Sequence, residues 1–175
     1  GALVLVVPAG LVAGSTWQGF AKVGWPMLTY RLSPSEQRLR RVTEALFTRP
    51  DDVWSKWFGD ALLSYRFDMR VPPLLRPEET AAYEGPALIL GADEDVSFPG
   101  SALIARAREL FPRAEVELIS GCRHCPPADA EFRARTAERV TAFLTRHGLS
   151  AFPGRELTSR RDPGTIALRG EPSEP

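Results

Sequence analysis

Two runs in this chain, Leu3-Val-Leu-Val-Val7 and Ala87-Leu-Ile-Leu90, are apolar at every successive position, and that leaves little choice of architecture. Neighbouring residues of a strand point to opposite faces, so a strand that is apolar throughout must be covered on both. The usual solution is a central strand of a parallel sheet held between helices. A third run, Val116-Glu-Leu-Ile119, alternates more and suits a place nearer the sheet edge. Between the second and third runs, Leu103, Ile104, Ala107, Leu110 and Phe111 fall on one helical face of residues 101–111, which predicts a βαβ crossover. After the third run, Phe132, Thr136, Val140, Phe143 and Leu144 repeat at helical spacing, with Asp129 placed to cap the helix and Gly148 to end it. The fold class is therefore α/β, a partial parallel sheet of about three strands with flanking helices.

Residues 11–84 read differently, with helical periodicity and turn punctuation but no strand signal, as a helical insertion. Ser33-Pro-Ser-Glu36 has the form of a capping box, with Ser33 as the cap and Pro34 at the first position of a helix over residues 34–47. Pro50-Asp-Asp52 opens another helix, which carries Trp54, Trp57, Phe58, Ala61, Leu62 and Tyr65. Trp17, Trp25, Trp54 and Trp57, all the tryptophans of the chain, lie in this insertion. The plain reading makes them packing residues of small helices; the sharper one makes them the aromatic underside of a lid over an apolar substrate. Residues 150–175 hold Pro153, Pro163, Pro172 and Pro175 among scattered charges, and predict a disordered tail behind a unit spanning residues 1–149.

Lys plus Arg and Asp plus Glu both total 22, so the chain has no positive excess to bind nucleic acid or a membrane surface. Residues 2–7 are too short a run to span a bilayer and lack the basic flank of a secretion signal, which predicts a cytoplasmic protein. With Gly1 set directly before an apolar strand, the sequence reads as starting partway through a sheet. The outer edge of that first strand is then a place for self-association. Nothing in the chain calls for a cofactor or a metal; a zinc site at Cys122, His124 and Cys125 lacks further paired ligands.

The chemistry concentrates in two loops just past predicted strands, Gly91-Ala-Asp-Glu-Asp95-Val-Ser-Phe-Pro99 and Gly121-Cys-Arg-His124-Cys-Pro-Pro127. Adjacent parallel strands bring their C-terminal loops side by side, so a histidine and an acid 29 residues apart can meet across one crossover. His124 suits a general base if a carboxylate fixes its tautomer. Asp95 is the first choice for that carboxylate and Glu94 the second, whereas an acidic trio in a loop is otherwise a solvated turn. His147, at a helix end, has a simpler account as a cation near the C-terminal carbonyls.

These two loops and the strands before them resemble the C-terminal part of the α/β-hydrolase superfamily, in which one late strand is followed by the acid of a nucleophile–acid–histidine triad and the last by the histidine. The opening Leu3-Val-Leu-Val-Val-Pro-Ala-Gly-Leu11 resembles the strand before the lid, and the resemblance covers residues 2–147. It implies a serine-type hydrolase of carboxylic esters or similar acyl compounds, with His124 and Asp95 or Glu94 as catalytic residues, the tryptophans at the substrate and a small apolar acyl compound as partner. Two departures matter. Gly91 to Asp95 is one residue longer than the commoner Gly-x-x-Asp, which keeps Glu94 in play, and Gly-x-Ser-x-Gly occurs nowhere, so the nucleophile is missing and the chain alone is expected to be inactive. Ser15 has neither that pattern nor an elbow strand of its own. Two other readings stand beside this one: a non-enzymatic or truncated interaction fragment, and a dithiol redox site at Cys122-Arg-His-Cys125, whose late position argues instead for small buried cysteines.

Overall fold

Ile89 faces one helical layer and Leu88 and Leu90 face another, and this alternation within a single strand organises the protein. The computed structural model describes residues 1–66 and 72–149; the expected disordered tail over 150–175 lies outside the described residues. Among the described residues the sheet has three strands, β1 (Leu3–Val6), β2 (Ala87–Ala92) and β3 (Glu115–Ile119), in the order β1-β2-β3. All pairing is parallel, with Leu3 opposite Ala87 and Val6 opposite Leu90 on one side, and Leu88 opposite Glu115 and Ala92 opposite Ile119 on the other. Every residue of β2 is buried, as its unbroken apolar composition requires.

In the insertion, α1 (Thr16–Gly19) leads through a π-helical turn at Phe20–Gly24 into α2 (Trp25–Leu32), α3 (Glu36–Leu46) and α4 (Asp52–Ser64). A single turn, α5 (Pro77–Thr80), precedes β2; α6 (Gly100–Leu110) crosses to β3, and α7 (Ala130–Arg146) follows. Helix α6 covers one face of the sheet, where Leu103, Ile104, Ala107 and Leu110 close over Ile89 with Leu3, Leu5 and Val116 beside it. Helix α7 covers the other, where Phe143, fully buried, rests on Leu88 and Leu90 with Val4, Val140 and Leu144 around them. Burying one such side chain contributes about 1.5–3 kcal/mol. At the solvent side of this layer Arg139 ties α7 to β3 through Glu117 at 2.8 Å and Glu115 at 3.0 Å. His147 adds its Nε2 3.5 Å from Glu115 and its ring 4.9 Å from that of Phe143, in keeping with a structural role at the helix end.

Several expectations hold and several shift. Asp129 accepts from the Phe132 N–H and caps α7, and Asp51 does the same for α4 through Trp54. Strand β2 runs two residues beyond Leu90, because Gly91 and Ala92 still pair with Leu118 and Ile119. The cap of α3 is Ser35 rather than Ser33: the Ser33 N–H bonds to the Thr29 carbonyl and closes α2, so the next serine takes the Arg38 N–H and Pro34 stays outside the helix. Strand β1, whose composition suits a central place, is paired on one side only among the described residues, and Val6 is exposed. Its last contact carries strain, since Val7, β-branched and buried, sits at φ 48° while its N–H bonds to the Leu90 carbonyl.

The approach of α6 to the sheet depends on Gly100. A Cβ there would lie 2.3 Å from the Ala92 carbonyl oxygen and 2.6 Å from a Leu118 methyl, and a backbone oxygen cannot step aside as a side-chain tip can. Gly100→Ala is expected to cost about 2 kcal/mol, read as a lower urea midpoint; an unchanged midpoint would refute so close an approach.

Candidate active site at the C-terminal rim of the sheet

Because β2 and β3 are parallel neighbours, the loops that follow them leave the same rim and touch. Asp93 N–H bonds to the Ile119 carbonyl at 3.2 Å and Glu94 N–H to the Cys122 carbonyl at 2.9 Å, joining the two loops by main chain. The Asp93 carboxylate completes the clasp by accepting from the Cys122 N–H at 3.0 Å. Hydrogen bonds from the Cys122 and Gly121 amides hold this carboxyl below the ordinary Asp range. Gly121 itself turns the chain at φ 62°, a left-handed conformation that side chains disfavour.

Asp95 is buried, its side chain wholly so. One carboxylate oxygen accepts from the Ser97 N–H at 2.7 Å and the Phe98 N–H at 3.1 Å, an Asx-type turn that fixes the group's direction. The other oxygen lies 3.0 Å from Nδ1 of His124. A carboxylate only accepts, so Nδ1 carries the ring proton and Nε2 is left as the basic nitrogen. Nε2 has no hydrogen-bond partner among the described residues, and the side chain is 33% exposed. Phe98 covers part of the imidazole, with ring centroids 5.4 Å apart. The pair has the form of a general base with an oriented, shielded carboxylate behind it.

Of the two acids read from the sequence, Asp95 faces His124. Glu94 is 53% exposed and lies 3.4 Å from the Arg123 guanidinium instead. Trp17, Trp25, Trp54 and Trp57 are all exposed, with Trp17 and Trp25 flanking Phe20 and the rings of Trp54 and Trp57 edge to face at 5.6 Å. They are surface aromatics of the insertion, outside its core of Met27, Tyr30, Val42, Leu46 and Leu62. Ser15 caps α1 by accepting from Gln18, an ordinary structural task. A cleft of about 340 Å³ opens at the opposite, N-terminal rim, lined by Thr80, Tyr83, Leu110, Phe111 and Arg113, and has no part in the dyad.

The two cysteines flank the histidine as anchors. Cys122 packs with Val7 and Ala92 at the sheet, and Cys125 packs against the core of the insertion. Both are free thiols, and burial pushes Cys122 up and Cys125 up to about 11, the opposite of what a reactive dithiol needs. Among the described residues no group of three or more His, Cys, Asp or Glu side chains converges as a metal site, and no helix is long and apolar enough to cross a membrane. Two residues act in ways the sequence does not signal: Asp93, one of the acidic trio of its loop, whose carboxylate ties the two loops together, and Thr48, which touches the histidine loop from 74 to 77 residues away.

No protein-family model and no curated protein matches the chain by sequence. Its fold does match solved structures. It superposes on carboxylesterase CesB from Bacillus subtilis with a TM-score of 0.59 at 12% identity, covering 82% of this chain and 50% of the other. The meta-cleavage product hydrolase of Pseudomonas fluorescens gives 0.57 at 18% identity, covering 82% and 55%, and the naproxen esterase of B. subtilis 0.52 at 18%, covering 69% and 45%. The chain thus has the fold of part of an α/β-hydrolase and spans about half the length of the solved structures it matches.

The Asp93 clasp makes the junction of the two loops sensitive to acid. Its carboxyl has a folded value below the unfolded 3.8, so its contribution to stability is complete above that pH and is lost as pH falls through the lower folded value. The difference in urea midpoint between the protein and Asp93→Asn should stay constant from neutrality down to that range and then close. A difference that persists unchanged in stronger acid would show that the charge of Asp93 is not what holds the loops.

Proposed function

We propose that this chain is the C-terminal portion of a serine-type hydrolase that cleaves carboxylic esters or similar acyl compounds, with His124 as general base and Asp95 as the carboxylate behind it. The observation that carries the reading is the 3.0 Å contact between Asp95 and Nδ1 of His124, made by a buried acid and leaving Nε2 outward. In this reading Nε2 takes the proton of a serine hydroxyl as that oxygen attacks the acyl carbon, and then returns it to the departing alkoxide. Asp95 keeps the ring in the required tautomer and stabilises the imidazolium that forms. The fold shared with esterases supports the reading at the level of architecture.

Gly-x-Ser-x-Gly is absent from the 175 residues, so the nucleophile would come from outside them, and the chain alone would lack turnover. Residues 1–149 would form the acid and histidine end of the domain, with the insertion as a lid whose exposed tryptophans meet the apolar part of the substrate. The open side of β1 would accept the rest of the sheet, and in the chain alone would favour self-association.

The test is hydrolysis of p-nitrophenyl butyrate. The chain alone is expected to give no rate above buffer; a rate abolished by His124→Ala would overturn the missing-nucleophile part. In a longer polypeptide that joins these residues to a nucleophile segment, Asp95→Asn and His124→Ala are each expected to lower kcat by roughly 10³–10⁴-fold with little change in KM, while Glu94→Gln changes it only slightly. Activity that survives His124→Ala there would refute the assignment.

A further inference from the structure

Only one side of the histidine loop belongs to the sheet. Asp93 and Glu94 hold it at Cys122. Beyond Cys122 the backbone bonds turn to the insertion, at the residues that follow α3. The Cys125 N–H donates to the Leu46 carbonyl at 2.8 Å, and the Thr48 N–H donates to the Cys125 carbonyl at 3.0 Å, a short parallel bridge between Phe47 and Cys125. The Thr48 hydroxyl then closes both ends of the segment around His124. It accepts from the Arg123 N–H at 2.9 Å and donates to the Cys125 carbonyl at 3.0 Å. Arg123 reinforces the attachment through its guanidinium on the Glu44 carbonyl, and Cys125 through its packing against the insertion's core.

From this geometry we infer that Thr48 is a positioning residue for His124, so that the helical insertion and the sheet together aim the imidazole at Asp95. The inference rests on the proposed role of His124 and adds its regulation: displacing the end of α3 from the loop would release the residues on both sides of His124 at once. One hydroxyl bonds the backbone both before and after the histidine, so its loss frees the Arg123 N–H and leaves the Cys125 carbonyl with the Thr48 N–H alone, while the Asp95 turn stays untouched. Threonine is suited to this because its hydroxyl is both donor and acceptor and its branched Cβ restricts the rotamer.

The test is nuclear magnetic resonance on the full 175-residue chain. In the unmodified protein, long-range ¹⁵N correlation should show neutral His124 as the Nδ1–H tautomer, and the Arg123 amide should exchange slowly. Thr48→Val, of similar shape without the hydroxyl, should speed exchange of the Arg123 amide by about tenfold, the loss of one hydrogen bond. It should also mix the His124 tautomers, leave the His147 signals in place, and be reversed by Thr48→Ser. An Arg123 amide that already exchanges as an open loop does in the unmodified protein overturns the inference, and needs no variant to fold. So does Thr48→Val with His124 still held as Nδ1–H. If the unmodified protein lacks the Nδ1–H tautomer while the Arg123 amide is protected, the Asp95–His124 reading fails and the attachment of the loop stands.

Discussion

The in-register parallel pairing of β2 and β3 is the constraint on which the candidate site depends. With Ala92 opposite Ile119, both strands end at the same rim, and residues 29 apart in the chain leave it side by side. The pairing is secured from above and below. A strand buried along its whole length, between α6 on one face and α7 on the other, cannot slip by one residue without turning Ile89 toward the layer built for Leu88 and Leu90. Register, and with it the meeting of Asp95 and His124, follows from apolar packing far from either side chain.

The polar bonds at the rim do a different kind of work. A single protein hydrogen bond adds about 0.5–1.5 kcal/mol net, so those around Asp95 matter less for stability than for direction. Ser97 and Phe98 occupy one oxygen and leave the other for the imidazole. The ion pairs between α7 and β3 contribute less apiece, because Glu117 and Arg146 are about half exposed and solvent screens them. Burial would raise the Glu115 carboxyl, but hydrogen bonds from Arg146 and Arg139 outweigh it and hold that carboxyl below its ordinary value. One nitrogen of Arg139 is buried there without a partner among the described residues, which further limits what that cluster returns.

The insertion is a small body with a core of its own, joined to the sheet at several points. The histidine loop meets it at Thr48 and Cys125, and near its start the Gly14 N–H bonds to the Ser97 carbonyl of the acid loop at 2.8 Å. Both loops of the candidate site therefore touch the insertion as well as each other. The insertion leaves aromatic side chains exposed at Trp17, Phe20, Trp25, Trp54 and Trp57. Solved hydrolases that share the fold extend to about twice the length covered here.

Local chemistry made much of this legible. Runs of Leu, Val and Ile without a polar break, bounded by Gly and Pro, point to strands with apolar cover on both faces, and the caps at Asp51 and Asp129 act through bonds that reach three residues ahead. The pairing of an acid with His124 also followed from the sequence, since parallel strands must bring their ends together. Choosing Asp95 over Glu94 did not: both stand within one residue, and only the Asx turn onto Ser97 and Phe98 aims one carboxylate at the ring while Glu94 reaches Arg123. The move of the α3 cap from Ser33 to Ser35 likewise waited on knowing that α2 had already claimed the Ser33 amide. Thr48 gave no sign at all, because its partners lie 74 to 77 residues away and two of them are main-chain groups that every residue possesses. The sequence by itself determined what is short-range or periodic, namely the strands, the helices and the two loops that bear charge. Tertiary structure alone decided which polar group meets which, because hydrogen bonds need atoms about 3 Å apart and no pattern along the chain encodes a distance across it.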